Sequence, residues 1–493
     1  MIKVLTREES RAADEAAIKN GISETELMRR AGLAVFDSFS FEGDTLIVIG
    51  KGNNAGDGLQ LAKLLREAEK EVKILQLYNI TKPAILDLLS QCMDIQIPIY
   101  RYNDSFSLEG YDNIVDAILG IGYKGELDDY LSNIIIRLNN AGGNKIAIDI
   151  NTGLDANNGR SKLAFESDLT IAIGYPKTGL FLNDAKDYIS DVTSDTIGIP
   201  YTGESVELFL ENDLDLIFSK RKKNVHKGMF GYVGIMGGSF KYSGSVKLGN
   251  LALSALTSGA GVARIIAPYE ICDSIMPYLL EATLYPIDSI DGHFIFNKDQ
   301  IDDSIKGLSS LALGMGMDKF SDAKLIVEHI IKTFEGRLLI DADGLNALKD
   351  LDLEILNNSK AEIVLTPHVK EFSRLINVDT ETILDNPVKY AKEFTLKYHV
   401  TLLLKGDTTI ISDKGNIYFV TQGSPALSKG GSGDILSGII AGIMGYEKYP
   451  YLACCAGSFV LGNAGMLAED ETGDYATLPR DTIEQIKEVM KKY

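Results

Sequence analysis

Along this chain, short apolar runs rich in Ile, Val and Leu keep ending in glycine, aspartate or asparagine, and a helix-forming stretch follows. Thr45-Leu46-Ile47-Val48-Ile49 runs into Gly50-Lys51-Gly52-Asn53-Asn54-Ala55-Gly56-Asp57-Gly58, and Leu59 onward reads as a helix. Asn113 to Ile118 carries Asp116 and leads to Gly120-Ile121-Gly122; Ile146 to Asp149 leads to Asn151-Thr152-Gly153. Apolar runs without polar alternation are strands covered on both faces, so the pattern predicts an α/β fold with mainly parallel sheets. In such sheets ligands bind beyond the C-terminal strand ends, where these polar residues collect.

The second half repeats the plan. Gly231 to Met236 precedes Gly237-Gly238-Ser239, and Tyr242-Ser243-Gly244-Ser245 opens a helix expected to reach Ser258. Strands are predicted at Val262 to Ala267, at Leu311 before Gly314-Met315-Gly316, and at Leu338 before Asp341-Ala342-Asp343. Further strands lead to Thr366-Pro367-His368 and to Lys405-Gly406, the latter paired with Thr408 to Ile411. Gly430-Gly431-Ser432-Gly433-Asp434 then opens an apolar helix through Met444, and a second helix lies near Ala453 to Ala468.

At 493 residues the chain exceeds one ordinary core, so more than one domain is expected. Between about Thr202 and Asn224 an acidic stretch gives way to Lys220-Arg221-Lys222-Lys223, which reads as a solvated linker between domains 1–213 and 224–493. A net charge of −20 argues against a general nucleic-acid or anionic-membrane binder. Cys92, Cys272, Cys454 and Cys455 form no CxxC pair and read as reduced and buried; the five histidines have no zinc spacing. The charged N-terminus and the lack of an unbroken apolar run of about 18 residues point to a cytoplasmic protein.

Local chemistry narrows the candidates. Small residues let a backbone approach a ligand, and an opening helix offers free N–H groups to phosphate oxygens, so Gly431 to Gly433 can cradle a phosphate. Asp434, one residue on, can take a proton from a hydroxyl. Taken singly, Asp57 and Asp116 read as caps of a helix and a turn, and His368 as either a helix cap or a ligand. Lys405, at the end of an apolar strand, reads as a ligand. Met315 and Met317 read as core.

The stretch Gly50 to Gly58, then Asp116-Ala117-Ile118-Leu119-Gly120-Ile121-Gly122 with Lys124-Gly125-Glu126, then Asp149 to Asp155, resembles the NAD(P)H-hydrate epimerase domain. The resemblance covers most of residues 1–200 and implies a Rossmann-like, three-layer α/β fold that interconverts the R and S epimers of NAD(P)H hydrated at C6 of the nicotinamide ring. It implies that Asn53, Asn54, Ala55, Gly56 and Asp57, with Gly120, Ile121, Gly122, Tyr123, Lys124, Gly125 and Glu126, bind the hydrated dinucleotide. It gives Asp149 a catalytic place at the nicotinamide end, and makes Asn54, Asp116 and Thr152 the ligands of a potassium ion (K+). Two positions depart from the family: Asn151 stands where proline is usual, and Arg29 where an acid is usual.

Residues 225–470 resemble the ribokinase-like superfamily, and within it the ADP/ATP-dependent NAD(P)H-hydrate dehydratases. The stretches that carry this are His226-Lys227-Gly228, Ser243-Gly244-Ser245, Asp341-Ala342-Asp343, Thr366-Pro367-His368 with Glu371, Lys405-Gly406 with Thr409, and Gly423-Ser424-Pro425. The resemblance implies an α/β/α domain in which Lys405, Gly406, Asp407, Thr408, Thr409 and Gly433 bind the nucleotide. Ser245 (often alanine in the family), Gly316, His368 and Asp434 face the hydrate, with Asp434 as the catalytic base. The expected reaction is dehydration of the S hydrate to NAD(P)H, with AMP and phosphate released. ADP is expected over ATP, because the fused form resembles the prokaryotic branch; magnesium (Mg2+) accompanies the phosphates. The partners expected are these small molecules, with no nucleic acid and no membrane, and a homo-oligomer. Two alternatives stand at this point: a ribokinase-like vitamin or sugar kinase, and an N-terminal half that only binds.

Overall fold

The structure is a computed structural model that describes residues 1–242, 244–245 and 255–493 of the chain. Ser243 and most of the helix expected after it (246–254) lie outside the described residues. Contacts divide the chain into Lys3–Val206 and a second unit of Glu207–Tyr493 with Met1–Ile2.

In the first unit, helix Arg7–Lys19 starts at a reciprocal cap: the Thr6 hydroxyl accepts from Glu9 N (3.2 Å), and the Glu9 carboxylate accepts from Thr6 N (2.7 Å). Its sheet is parallel, in spatial order 99–101, 72–76, 45–49, 113–117, 144–148, 167–173 and 189–195. Strand Thr45–Ile49 and its neighbour Asn113–Ala117 are buried throughout, so helices cover both faces. The order reverses beside Thr45–Ile49, which has 72–76 on one side and 113–117 on the other. A crevice at that switch point is where such sheets hold ligands.

One expectation needs correcting here. The glycine-rich stretch after Ile49 is not a loop as far as Gly58, because helix Asn53–Glu67 already begins at Asn53. The small residues serve packing: a Cβ on Gly56 would lie 2.7 Å from Met28 Sδ, and one on Gly58 2.7 Å from Ala117 Cβ. Helix Glu24–Ser38 and strand Asn113–Ala117 can therefore approach closely.

The second unit has strands in the order 416–420, 409–413, 401–404, 362–365, 337–340, 310–313, 232–236, 262–268 and 283–287. From 401–404 onward they are parallel, and 409–413 and 416–420 add an antiparallel meander. This order also reverses, at Tyr232–Met236 between 262–268 and 310–313. Helix Ser432–Met444 is buried along nearly its whole length against the sheet, and the Ser310 hydroxyl donates to Ala441 O (2.7 Å).

Helix Pro450–Thr472 is long and apolar enough to cross a membrane by composition, yet most of its apolar positions, Cys454 and Cys455 among them, lie in the core of this unit. The segment read as a linker is also different in kind. Phe209, Leu214, Ile217 and Phe218 are buried in the second unit's core, and Phe209 N donates to Phe419 O (2.9 Å). The basic run Lys220 to Lys223 is exposed throughout, as a linker should be.

Candidate active sites

At the switch point of the first sheet lies a cavity of about 660 Å³. Of the residues expected to bind substrate, Asn53, Asn54, Asp57, Gly120, Ile121, Gly122, Tyr123 and Asp149 line it. Ala55 and Gly56 instead face the core, while Lys124, Gly125 and Glu126 lie outside the walls. Lys124 approaches Glu8, and Glu126 pairs with Lys162 at 2.6 Å on the surface.

Asn54 is held by its amide nitrogen, which donates to Leu119 O (2.9 Å) and Ile148 O (3.1 Å). Its Oδ1 is buried, at 4% residue exposure, and has no partner among the described residues. Asp116 is fully buried; it accepts from Ile118 N (3.0 Å), Thr152 N (2.7 Å) and the Thr152 hydroxyl (2.8 Å). Burial pushes its carboxyl up to about 6, against those three hydrogen bonds. Among the described residues no group of three His, Cys, Asp or Glu side chains forms a ready-made metal site.

Both family departures have structural explanations. The Asn151 side chain is buried and donates to Phe165 O (2.8 Å) and the Ser167 hydroxyl (2.8 Å), while its Oδ1 accepts from the Thr170 hydroxyl (2.6 Å). That clamp fixes the turn where a proline ring would stiffen it. Arg29 pairs with Glu26 (2.8 Å), away from the cavity wall, and Arg30 pairs with the same carboxylate.

Asp149 sits in the left-handed backbone region (φ 70°), a conformation that needs local support in a non-glycine residue. Its Oδ1 is ion-paired with Lys177, whose side chain is 2% exposed and also donates to Ile173 O (2.7 Å). Sequence reasoning missed Lys177, together with Ser10, Arg11 and Asp14 on the first helix, all of which line the cavity. The signal was present: Lys177 follows an apolar strand as Lys405 does, and Ser10 and Asp14 are one helical turn apart.

In the second unit the expected residues gather at the C-terminal strand ends. Gly431 takes φ 110° as N-cap of helix Ser432–Met444, putting Asp434 in the first turn. Lys405 Nζ lies 2.8 Å from Asp341 Oδ1, and the Ser437 hydroxyl donates to Asp341 Oδ2 (2.8 Å). The same ammonium would be 3.7 Å from a Cβ on Gly433, so it stands against the glycine turn. Asp434 accepts a hydrogen bond from the Ser245 hydroxyl, so the serine departure gives this carboxylate a donor. Gly316, at φ 64°, packs on Ser245; a Cβ there would come within 2.7 Å of the serine Cβ.

Burial first, and then the charge of Asp341, push the Asp434 carboxyl up to about 6; Ser245 and Lys405 oppose the rise. His368 does cap helix Val369–Ile376: its Nδ1 accepts from Lys370 N (3.1 Å) and Glu371 N (3.3 Å). That bonding leaves Nε2 to carry the proton, and desolvation lowers the ring's pKa. His368 also bridges Lys405 across the sheet, so capping and nearness to the site are both true of it. Thr408 is buried behind Lys405-Gly406-Asp407, and Thr409 begins the next strand.

Comparisons with known proteins find relatives for both halves of the chain. Residues 233–488 match the NAD(P)H-hydrate dehydratase family, and residues 24–179 match the family described as YjeF-related protein N-terminus. A bifunctional NAD(P)H-hydrate repair enzyme from Dictyoglomus turgidum is 32% identical over 89% of this chain and 87% of its own length. One of the same name from Helicobacter pylori is 31% identical over 98% of this chain and 99% of its own. An ADP/ATP-dependent NAD(P)H-hydrate dehydratase from Bacillus subtilis, co-crystallised with ATP and Mg2+, is 26% identical. It covers 58% of this chain and 98% of its own, with a TM-score of 0.52.

Proposed function

The chain belongs to the bifunctional NAD(P)H-hydrate repair enzyme family, and we propose that its two units carry out successive steps on one damaged cofactor. The first unit interconverts the R and S hydrates. The second restores NAD(P)H from the S hydrate at the expense of a nucleotide, with ADP as the preferred co-substrate. The observation that carries this reading is Asp434: a half-buried carboxylate in the first turn of a glycine-opened helix, with its pKa raised to about 6.

Hydroxide leaves poorly from a saturated ring carbon, whereas phosphate leaves well. Asp434 takes the hydroxyl proton as the oxygen attacks the terminal phosphorus of the nucleotide. A base with a pKa near 6 is ionised at neutral pH yet close enough to it for efficient transfer. The N–H groups of the glycine turn and the Lys405 ammonium stabilise charge developing on the phosphoryl oxygens. The C–O bond of the phosphorylated hydrate then breaks, a neighbouring ring proton is lost, and the ring returns to its reduced, unhydrated form. With ADP the products are AMP and phosphate. Magnesium enters with the nucleotide phosphates, for which the expected site residues are Lys405 to Thr409 and Gly433.

In the first unit, Asn53, Asn54, Asp57 and Gly120 to Tyr123 hold the dinucleotide, with Asp149 at the nicotinamide end. The unpartnered Asn54 Oδ1, with Asp116 and Thr152, fits a potassium ion, since all three supply hard oxygen donors. A potassium ion held by these residues would supply a fixed positive charge beside Asn54 of the cavity wall.

The test is product stoichiometry. With the S hydrate, magnesium and ADP, one phosphate is expected per NADH restored, faster than with ATP. A stable phosphorylated product without NADH would assign the unit to ordinary kinase chemistry instead.

A further inference from the structure

The first helix brings to the epimerase cavity a set of side chains that the expected substrate-binding residues do not include. Ser10, Arg11 and Asp14 line the cavity from one side, facing Asp57 on helix Asn53–Glu67 and the Asp149–Lys177 pair at the strand ends. Ser10 is 7% exposed, and its hydroxyl has no partner among the described residues. Helix Arg7–Lys19 thus brings Ser10, Arg11 and Asp14 to the cavity wall, while its Arg7 ties it to Asp155 and Tyr123 O. Arg11 lies beside Gly122, whose Cβ would be 3.7 Å from its guanidinium.

We propose that Asp14 is a catalytic base of the epimerase site, taking the hydroxyl proton of the hydrate while Asp57 serves the ring nitrogen. This deepens the epimerase reading above and rests on it. The reacting carbon, C6, carries the hydroxyl and is bonded to the ring nitrogen N1. Asp14 removes the hydroxyl proton; the oxygen's electrons form C6=O as the C6–N1 bond breaks, and its electron pair passes to N1. N1 takes a proton from Asp57. Rotation about C5–C6 presents the other face, and closure runs the same transfers backwards. N1 returns its proton to Asp57 and the new hydroxyl takes the one on Asp14, so no atom, proton or electron is gained.

The surroundings suit the two roles. Asp14 stays exposed at the cavity wall, yet the protein around the concavity desolvates its carboxyl enough to push it up to about 6; Lys177 opposes the rise, and the charges of Asp149 and Glu15 add to it. Asp57 is pushed well above its ordinary value by burial, then by Asp149 and Asp14, against Lys177 and Lys82, which favours its protonated form. A more enclosed carboxyl, Asp57, and a more exposed one, Asp14, on one pocket form the pattern of an acid–base pair.

The experiment measures epimer exchange by the full-length protein from pure R hydrate, for wild type, Asp14→Asn and Asp14→Glu. Spontaneous exchange is subtracted, and thermal unfolding verifies each fold. Wild type is expected to lose kcat/KM for exchange as pH falls through about 6. Asp14→Asn is expected to lower kcat by about 10²-fold or more with KM within a few-fold, to remove that limb, and to leave dehydration of the S hydrate unchanged. Asp14→Glu should restore part of kcat. If folded Asp14→Asn exchanges epimers within threefold of wild type, or loses only KM and keeps the limb, Asp14 is not the base. Wild type that exchanges no faster than buffer would instead overturn the epimerase reading itself.

Discussion

Asp341→Asn separates the positioning of Lys405 from the chemistry of Asp434. Asp341 is 2% exposed and holds Lys405, itself 23% exposed, through one oxygen and Ser437 through the other, each at 2.8 Å. Breaking a buried ion pair by removing one partner costs about 3–5 kcal/mol, and the partial access of Lys405 to water puts this one near 3 kcal/mol. For a domain of this size that corresponds to a fall in Tm of roughly 6–10 °C, read by calorimetry. The kinetic consequence has a definite sign. The Asp341 charge helps raise the Asp434 carboxyl, and its loss frees the Lys405 ammonium toward Asp434, so the pKa must fall. The acid limb of kcat/KM for dehydration, measured as ADP-dependent phosphate release from the S hydrate, should move from about 6 to lower pH. In Asp341→Asn/Lys405→Met the two losses should be less than additive, because neither charge is left buried alone. A Tm within 2 °C of wild type, taken as roughly the resolution of the comparison, would refute the buried-pair argument. A limb that stays or rises would refute the electrostatic one.

Asp434→Asn should abolish dehydration and leave epimer exchange at the wild-type rate, measured on the two hydrates separately. In wild type, dehydration should fall as pH drops through about 6, because the base works ionised and its pKa is raised by burial. Replacing potassium with choline should slow epimer exchange and lower the Tm of the first unit; Asn54→Leu, which removes the unpartnered oxygen, should make both insensitive to the cation. Asn151→Ala removes three buried hydrogen bonds and should destabilise the first unit by about 2–3 kcal/mol in urea unfolding.

The strands that organise both sites were legible because parallel strands buried on both faces are nearly pure apolar runs: Thr45–Ile49, Asn113–Ala117, Arg337–Ile340 and Thr401–Leu404 all lie where the pattern puts them. Edge strands were not. Ile189–Asp195 has only Ile189 and Val192 as apolar residues and no fully buried position, because it lies at the sheet edge, and Ile99–Arg101 is too short to show a pattern. The start of helix Asn53–Glu67 was hidden because its glycines answer to packing against Met28 and Ala117, which outweighs their poor helix propensity. The segment after Val206 read as a linker from its charges, although Phe209, Leu214 and Phe218 between those charges belong to a core. At the sites, strand-end residues such as Asp149 and Asp434 announced themselves by position. Asp14 did not, since an exposed aspartate within a charged amphipathic helix looks like its neighbours until the fold sets it on the wall it shares with Asp57 and Lys177.

The most direct test of the whole account is NADH recovery, followed by absorbance, from an equal mixture of R and S hydrates with magnesium and limiting full-length protein. With ADP the account predicts recovery of both epimers, one phosphate per NADH, at a rate above spontaneous epimerisation. Recovery that stops at the S half, or none with either ADP or ATP, would contradict it.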